Sequence, residues 1–366
     1  MTLGLYLVRR LLKMLGLVAL VLFSVIYLVE FVESLRSFSG SDATMGQVAL
    51  LAALRAPTEL YVNLPLVMVI ASMLYFMGIA RSSELVVIRA AGRSGLRLLL
   101  EPILAVLLLG ILAVALLNPL VAMTTRLHQT QASIVQDRGS GLRFTVAGGE
   151  IWLRQGDPDG QTVIRASHVG DEGLRFQDVT FLRFERVSGR PLSRIEAREA
   201  RLDDRVWILE EAREWPLGVP NPEVEMRSHE RMRLPTDLTP ERLRDSFARS
   251  GAISVWALPE LITALDQAGL SSRAQRSALM RELSLPLMLV AMLMVGAMLT
   301  IRHARLAPTA QILLITVLSG FGVFAASNFA LALGQYGLIP LWLGVWSPPI
   351  ASIMLATGVL LHLEDG

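Results

Sequence analysis

The chain has 366 residues, of which 53% are hydrophobic and only 18% charged, and its formal net charge is +2. This composition is typical of an integral membrane protein and excludes an ordinary soluble domain. The small net charge, with basic residues spread along the chain, does not favour nucleic acid as a partner. Because the chain has no cysteine, disulfides, thiolate catalysis and cysteine metal sites are excluded.

Six apolar segments are long enough to cross a bilayer, which takes about 20 helical residues. The clearest is residues 306–361, which contain no Asp, Glu, Lys, Arg or His and therefore hold two spans. The predicted spans are residues 12–35, 59–80, 98–123, 283–301, 307–333 and 338–361. The first has no small-x-small cleavage site, so we expect it to be retained rather than removed as a signal peptide.

Basic residues in short loops predict the orientation, because such loops face the cytoplasm. They occur before the first span, after the second and after the fourth, which six spans place on one side of the membrane. The residues are Arg9, Arg10, Lys13, Arg81, Arg89, Arg93, Arg97, Arg302 and Arg305. Both termini are therefore expected in the cytoplasm and the polar insert outside it.

The polar insert between the third and fourth spans has the alternating pattern of β-strands. Predicted strands include residues 143–146, 150–153, 175–181, 205–209 and 223–226, separated by turn signals. Short strands with regular turns predict an all-β sandwich or partly open roll. An exposed sheet edge could pair with a strand of another protein, although a compact cap without a partner fits the same pattern.

The predicted architecture is a membrane α-helical protein with six transmembrane helices and a β domain inserted after the third. Residues 1–125 hold spans one to three and a cytoplasmic loop at 81–97. Residues 126–236 form the β domain, residues 237–281 a helical connector, and residues 282–366 spans four to six.

Several residue types and motifs that enzymes and ion-driven carriers need are absent from the sequence or rare in its spans. Lys13 is the only lysine and is followed by Met14, so the chain has no Gly-Lys-Ser/Thr phosphate loop. The spans hold almost no acidic residues or histidines, which disfavours an ion-driven carrier. The five histidines are dispersed without metal-ligand spacing. We expect a non-enzymatic protein that binds no cofactor or metal, with any energy supplied by another subunit.

The cytoplasmic loop after the second span offers a contact for such a subunit. Ser83 is suited to cap a short helix, Glu84 suits its positive N-terminal dipole, and Gly92 is suited to end it, with Leu85 and Arg89 between them. One interpretation is a coupling helix seated in a groove of a cytoplasmic ATPase. A plain interfacial turn, with basic residues that only enforce topology, fits the pattern equally well.

At this loop the chain resembles the lipopolysaccharide export permeases of the LptF/LptG family, which show a similar Glu followed by Arg-Ala-x-Gly. Further similarity lies at Pro57 and Pro65, at residues 253–259, at 337–340 and at 346–348. The tail, residues 361–366, looks like the LptG branch rather than LptF. The resemblance covers nearly the whole chain.

The resemblance implies a jellyroll-like periplasmic domain and a heterodimer of two such permeases in the bacterial inner membrane. It also implies a dimeric cytoplasmic ATPase, which uses the ATP. Lipopolysaccharide would leave the outer leaflet between the first span of one permease and the fifth span of the other. It would then pass to a periplasmic bridge of similar rolls. Glu84, Arg89 and Gly92 match the family's coupling loop.

The resemblance also suggests residues that contact the lipid. Family members carry basic residues near the outer end of the first span, and here that place is held by Arg36, beside Glu33. Arg36 could pair with a phosphate, or it could be a snorkelling anchor or a partner of Glu33. The other candidates are Arg126, Phe324 and Asn328.

Two other functions remain open at this stage. The chain could be a mechanotransmission subunit that drives a periplasmic partner without moving lipid. It could also be a scaffold that anchors a periplasmic assembly without any ATPase. Crosslinking of lipopolysaccharide to the spans would distinguish an exporter from a mechanotransmission subunit. Co-purification with an ATPase would exclude the scaffold.

Overall fold

The structure is a computed structural model, and it describes most of the chain. The described residues are 2–38, 44–81, 95–135, 143–147, 150–157, 160–169, 175–185, 189–239, 253–267, 271–303 and 309–365. The chain divides into two compact units. The helical unit comprises Met1–His128 and Ser277–Gly366, and the β unit comprises Gln129–Arg276.

The described part of the chain contains helices α1 (Thr2–Ser37), α2 (Met45–Val62), α3 (Leu64–Arg81), α4 (Gly95–Leu112), α5 (Asn118–Val135), α6 (Leu258–Gln267), α7 (Arg273–His303), α8 (Thr309–Gln335) and α9 (Leu341–Asp365). A π-helical turn, Ala113–Leu117, joins α4 to α5. Among the described residues, six segments are long and apolar enough to span a membrane: Gly4–Ser37, Leu64–Arg81, Leu99–Ala132, Arg273–Thr300, Ala310–Gln335 and Leu341–His362. The predicted set of six spans is confirmed.

The second span begins later than predicted, because a separate helix precedes it. Thr44 caps α2 with a reciprocal capping box, in which its side chain accepts from the Gln47 backbone N–H and the Gln47 side chain accepts from the Thr44 backbone N–H. The helix ends at Asn63, whose side-chain amide donates to the carbonyl of Glu59 at 2.8 Å. Pro65 stands at the second position of α3, where its missing N–H costs nothing.

The core of the helical unit depends on glycines that let helices approach closely. A Cβ on Gly296 of α7 would lie 1.9 Å from the Ser72 Oγ of α3, and one on Gly110 of α4 would lie 2.5 Å from the Cα of Pro286. The Ser72 hydroxyl lies 3.4 Å from the Met292 carbonyl of α7. Small residues of this kind permit the backbone contact that holds membrane helices together.

The β unit contains one antiparallel sheet of eight described strands. These are β1 (Arg143–Ala147), β2 (Glu150–Asp157), β3 (Gly160–Ala166), β4 (His168–Val169), β5 (Arg175–Glu185), β6 (Pro191–Asp203), β7 (Val206–Pro216) and β8 (Arg227–Pro235). The strands pair in the order β1-β2-β3-β5-β6-β7-β8, and β4 pairs with β5. The all-β prediction is confirmed, and the neighbour-to-neighbour order is that of a meander.

An aromatic cluster fills the sheet's buried face. Trp207 is fully buried and meets Phe176 and Phe181 edge-to-face, with ring centroids 5.3 and 5.6 Å apart. Alternate side chains of a strand point to opposite faces, and on β6 most of the inward positions are apolar, as at Ile195 and Ala197. The core of this unit therefore comes from the same alternation that predicted its strands.

The predicted strand at residues 223–226 is wrong, because this segment is a turn and β8 begins only at Arg227. Val224 is strongly exposed there, so the alternation of Glu223, Val224, Glu225 and Met226 has no buried face. The proline-rich stretch that precedes it occupies the connection between β7 and β8.

We expect Gly296→Ala to lower the melting temperature of the detergent-solubilised protein. The added methyl group would displace Ser72, and overpacking of this kind costs about 1–3 kcal/mol. The matched control is Gly322→Ala on α8, where a Cβ would meet nothing within 4 Å. Equal melting temperatures for the two variants would contradict the close packing of α3 and α7.

Candidate functional site

The predicted coupling-loop residues Ser83, Glu84, Leu85, Arg89 and Gly92 lie outside the described residues. Helix α3 ends at Arg81 and α4 begins at Gly95. The coupling role of this loop therefore stays a prediction.

A groove in the helical unit brings together two of the predicted lipid-contact residues. About 660 Å³ of empty space lies between its walls, counted together with the space that opens to the surroundings. Phe324 and Asn328 line it one helical turn apart on α8. Its other walls come from the junction of α2 and α3, from the first half of α7 and from the start of α9.

The groove has a polar end built around Tyr61. This side chain is largely buried, and its hydroxyl donates a hydrogen bond of 2.5 Å to Glu282 Oε2 on α7. The Asn118 side chain of α5 also interacts with the Tyr61 phenol. Tyr61 thus joins three helices, and the neighbouring Arg281 adds a positive charge to the groove lining.

The π-helical turn before α5 helps to bring Asn118 to this position. The backbone N–H of Asn118 donates to the carbonyl of Ala113, five residues earlier. Such a turn inserts one extra residue and rotates everything after it around the helix axis, and it is frequent at functional sites. Asn118 is buried as a result, although it stands inside an otherwise apolar run.

The remaining groove walls are mostly apolar. Leu285 and Met288 of α7 lie opposite Phe324 and Leu331 of α8, and Val345 of α9 completes the lining. The Ser327 hydroxyl points at the Met288 sulfur, 3.8 Å away. A cavity with mostly apolar walls and a polar cluster around Tyr61 suits an amphiphile, whose apolar and polar parts need different surroundings.

The other predicted lipid contacts do not line this groove. Glu33 and Arg36 lie on the exposed face of α1, and Arg126 is exposed on α5. None of the three is among the described groove-lining residues. The structure thus gathers two of the five candidates at one site and leaves three on the outer surface of the helical unit.

A second polar contact ties α1 to α2 and was not predicted. Glu30 is only 8% exposed, and its Oε2 lies 3.2 Å from Arg55 Nε of α2. Arg55 also approaches Glu59 Oε1 at 3.8 Å. An acidic residue inside an apolar span is a sequence signal for such a pair, because an isolated charge is costly there.

Tyr61 and Glu282 were also missed by sequence reasoning. Glu282 stands at the boundary between the polar connector and the apolar run of α7, where a carboxylate is unremarkable. Only the fold brings it to Tyr61, which is 221 positions earlier. Among the described residues, no group of three or more His, Asp or Glu side chains is arranged to hold a metal ion.

Six apolar helices and an antiparallel sheet, all within the described residues, define a multi-pass membrane protein with a β domain. The family model described as lipopolysaccharide export system permease LptF/LptG matches residues 5–362. This chain belongs to that family, and it is a permease of the inner membrane. No curated protein matches the chain.

We expect Tyr61→Phe to destabilise the helical unit by about 1–3 kcal/mol, because the partly buried Glu282 carboxylate loses its donor. The measurement is the melting temperature of the purified protein in detergent. Tyr336→Phe is the matched control, since Tyr336 is 83% exposed. If both substitutions leave the melting temperature unchanged, the Tyr61–Glu282 contact does not hold these helices together.

Proposed function

We propose that this chain is one permease subunit of an ABC transporter that extracts lipopolysaccharide from the outer leaflet of the inner membrane. A second LptF/LptG-type permease would be its partner, and a dimeric cytoplasmic ATPase would supply the energy. The groove that contains Phe324, Asn328 and Tyr61 carries the proposal, because its apolar walls and polar end match the two halves of a glycolipid. The residues of the tail, 361–366, favour the LptG branch.

The distribution of basic residues supports an orientation with both termini in the cytoplasm. The β unit would then lie in the periplasm. There it would act as a jellyroll-like module that receives the lipid and passes it to bridge proteins of the same kind. The edge strands β1 and β8 are the natural places for such a contact, since an edge strand has free hydrogen-bonding groups along one side.

Helix α1 offers the surface along which lipid would enter. Most of its length is apolar and exposed, as at Leu20, Leu28 and Val29, so this face meets either lipid tails or the partner permease. Arg36 at the outer end of α1 and Arg126 on α5 are suited to meet lipid phosphates, with which guanidinium groups form bidentate contacts.

A photo-crosslinking amino acid at position 324 tests the groove. In the assembled transporter we expect lipopolysaccharide to form an adduct at position 324 in higher yield than at a control position outside the groove. The matched control is position 329, also a phenylalanine of α8 and 68% exposed, but not among the groove-lining residues. Adducts of equal yield at both positions, or at 329 alone, would refute the groove as the lipid site.

The substitution Glu84→Ala tests the coupling loop. We expect the protein to remain in the membrane while its association with the ATPase weakens by roughly 1.5–3 kcal/mol, the contribution of a hydrogen bond to a charged group. Co-purification with the tagged ATPase measures this loss. Glu364→Ala is the control, because it also removes one carboxylate from the proposed cytoplasmic face. Unchanged recovery of the ATPase with Glu84→Ala would count against the role of the loop.

A further inference from the structure

Two charged side chains at one end of the helical unit lie against glycines of neighbouring helices. Glu101 of α4 lies over Gly4 of α1, where an added Cβ would be 3.1 Å from Glu101 Cγ and 3.4 Å from Oε1. Arg10 of α1 lies over Gly78 of α3, where an added Cβ would be 2.9 Å from Arg10 Nη2. Each contact exists because a glycine leaves room for a polar group beside the neighbouring backbone.

The two contacts flank the predicted coupling loop in the sequence. Gly78 precedes the end of α3 at Arg81, and Glu101 follows the start of α4 at Gly95. The charged side chain of Arg10 on α1 therefore contacts α3, the helix that leads into the loop. The charged side chain of Glu101 on α4, the helix that follows the loop, contacts α1. With a rise of about 1.5 Å per residue, Gly4 and Arg10 are roughly 9 Å apart along α1.

The same end of α1 is packed into the core of the helical unit. Leu7 and Leu11 lie between and beside the two contacts, are fully buried, and belong to one apolar cluster with Phe76, Ile79 and Leu99. Arg10 is further held by its own helix, because its Nη1 donates to the Tyr6 hydroxyl at 3.2 Å. Beyond this end, α1 mostly presents exposed apolar side chains.

We propose that Arg10 and Glu101 are positioning residues that transmit movement of the α3 and α4 ends to α1. This inference rests on the proposed function, in which the connecting loop receives the ATPase stroke and α1 borders the lipid entrance. A shift of either helix end would push α1 through a charged side chain seated on a glycine, while the buried leucines keep α1 against the bundle. The remainder of α1, which keeps its Glu30–Arg55 contact with α2, would move together with this end.

The absence of cysteine in the natural chain permits a direct measurement. Single cysteines at Val29 of α1 and Met354 of α9, both strongly exposed, carry spin labels in the full complex with its partner permease and ATPase. We expect a non-hydrolysable ATP analogue to shift the distance between the labels in the otherwise unchanged protein. We expect Arg10→Gln, Glu101→Gln and Gly78→Ala to abolish the shift.

Gly78→Ala is the most informative variant, because the added methyl group meets only the flexible end of Arg10 and leaves the helix packing intact. Arg9→Gln is the matched control, since the neighbouring Arg9 is exposed and carries the same charge.

In the same samples, ATP hydrolysis should persist. Lipopolysaccharide release should fall about tenfold in the three variants, equivalent to roughly 1.4 kcal/mol in a rate barrier.

A distance shift that survives Arg10→Gln and Gly78→Ala would overturn the inference, as would the lack of any shift in the unsubstituted complex. Loss of the shift in Arg9→Gln as well would also overturn it, because a general charge effect would then suffice. Failure of the proposed function has a different signature. The unsubstituted complex would show the nucleotide-driven shift and yet release no lipopolysaccharide.

Discussion

Close approach of helix backbones is the constraint on which the helical unit depends. Within a bilayer, apolar side chains gain little by leaving lipid for protein, so helix association relies on tight packing and a few polar contacts. Gly296 against Ser72, and Gly110 against Pro286, provide that packing here. The same contacts fix the relative positions of α3, α4 and α7, and α7 in turn supplies Glu282 and Met288 to the groove.

Polar contacts between helices add to this packing. The Tyr61–Glu282 hydrogen bond forms part of the polar lining of a mostly apolar groove, and the Glu30–Arg55 pair ties α1 to α2. A polar group without a partner is costly in a membrane, so each of these pairs is held in a defined geometry. An amphiphile entering the groove would therefore meet apolar walls and a fixed polar end.

The β unit is stabilised in a different way, because the hydrophobic effect drives the burial of its apolar face. Its core of Trp207, Phe176 and Phe181 gains burial energy in a way that the spans do not. Because burial of one face requires alternating apolar and polar residues along each strand, the all-β character could be predicted from the sequence. Alternation without a buried face misled the prediction at residues 223–226, where a turn lies instead.

The sequence by itself determined the six spans and the all-β insert, because apolar length and strand alternation are local properties of the chain, and its motifs indicated the family. It left out α2, which begins after the cap formed by Thr44 and Gln47, and placed the start of the second span too early. Only the tertiary structure brought Tyr61 to Glu282, and Phe324 and Asn328 to one groove. Contacts between positions so far apart depend on helix packing angles and on the π-helical turn before Asn118, neither of which a local pattern encodes.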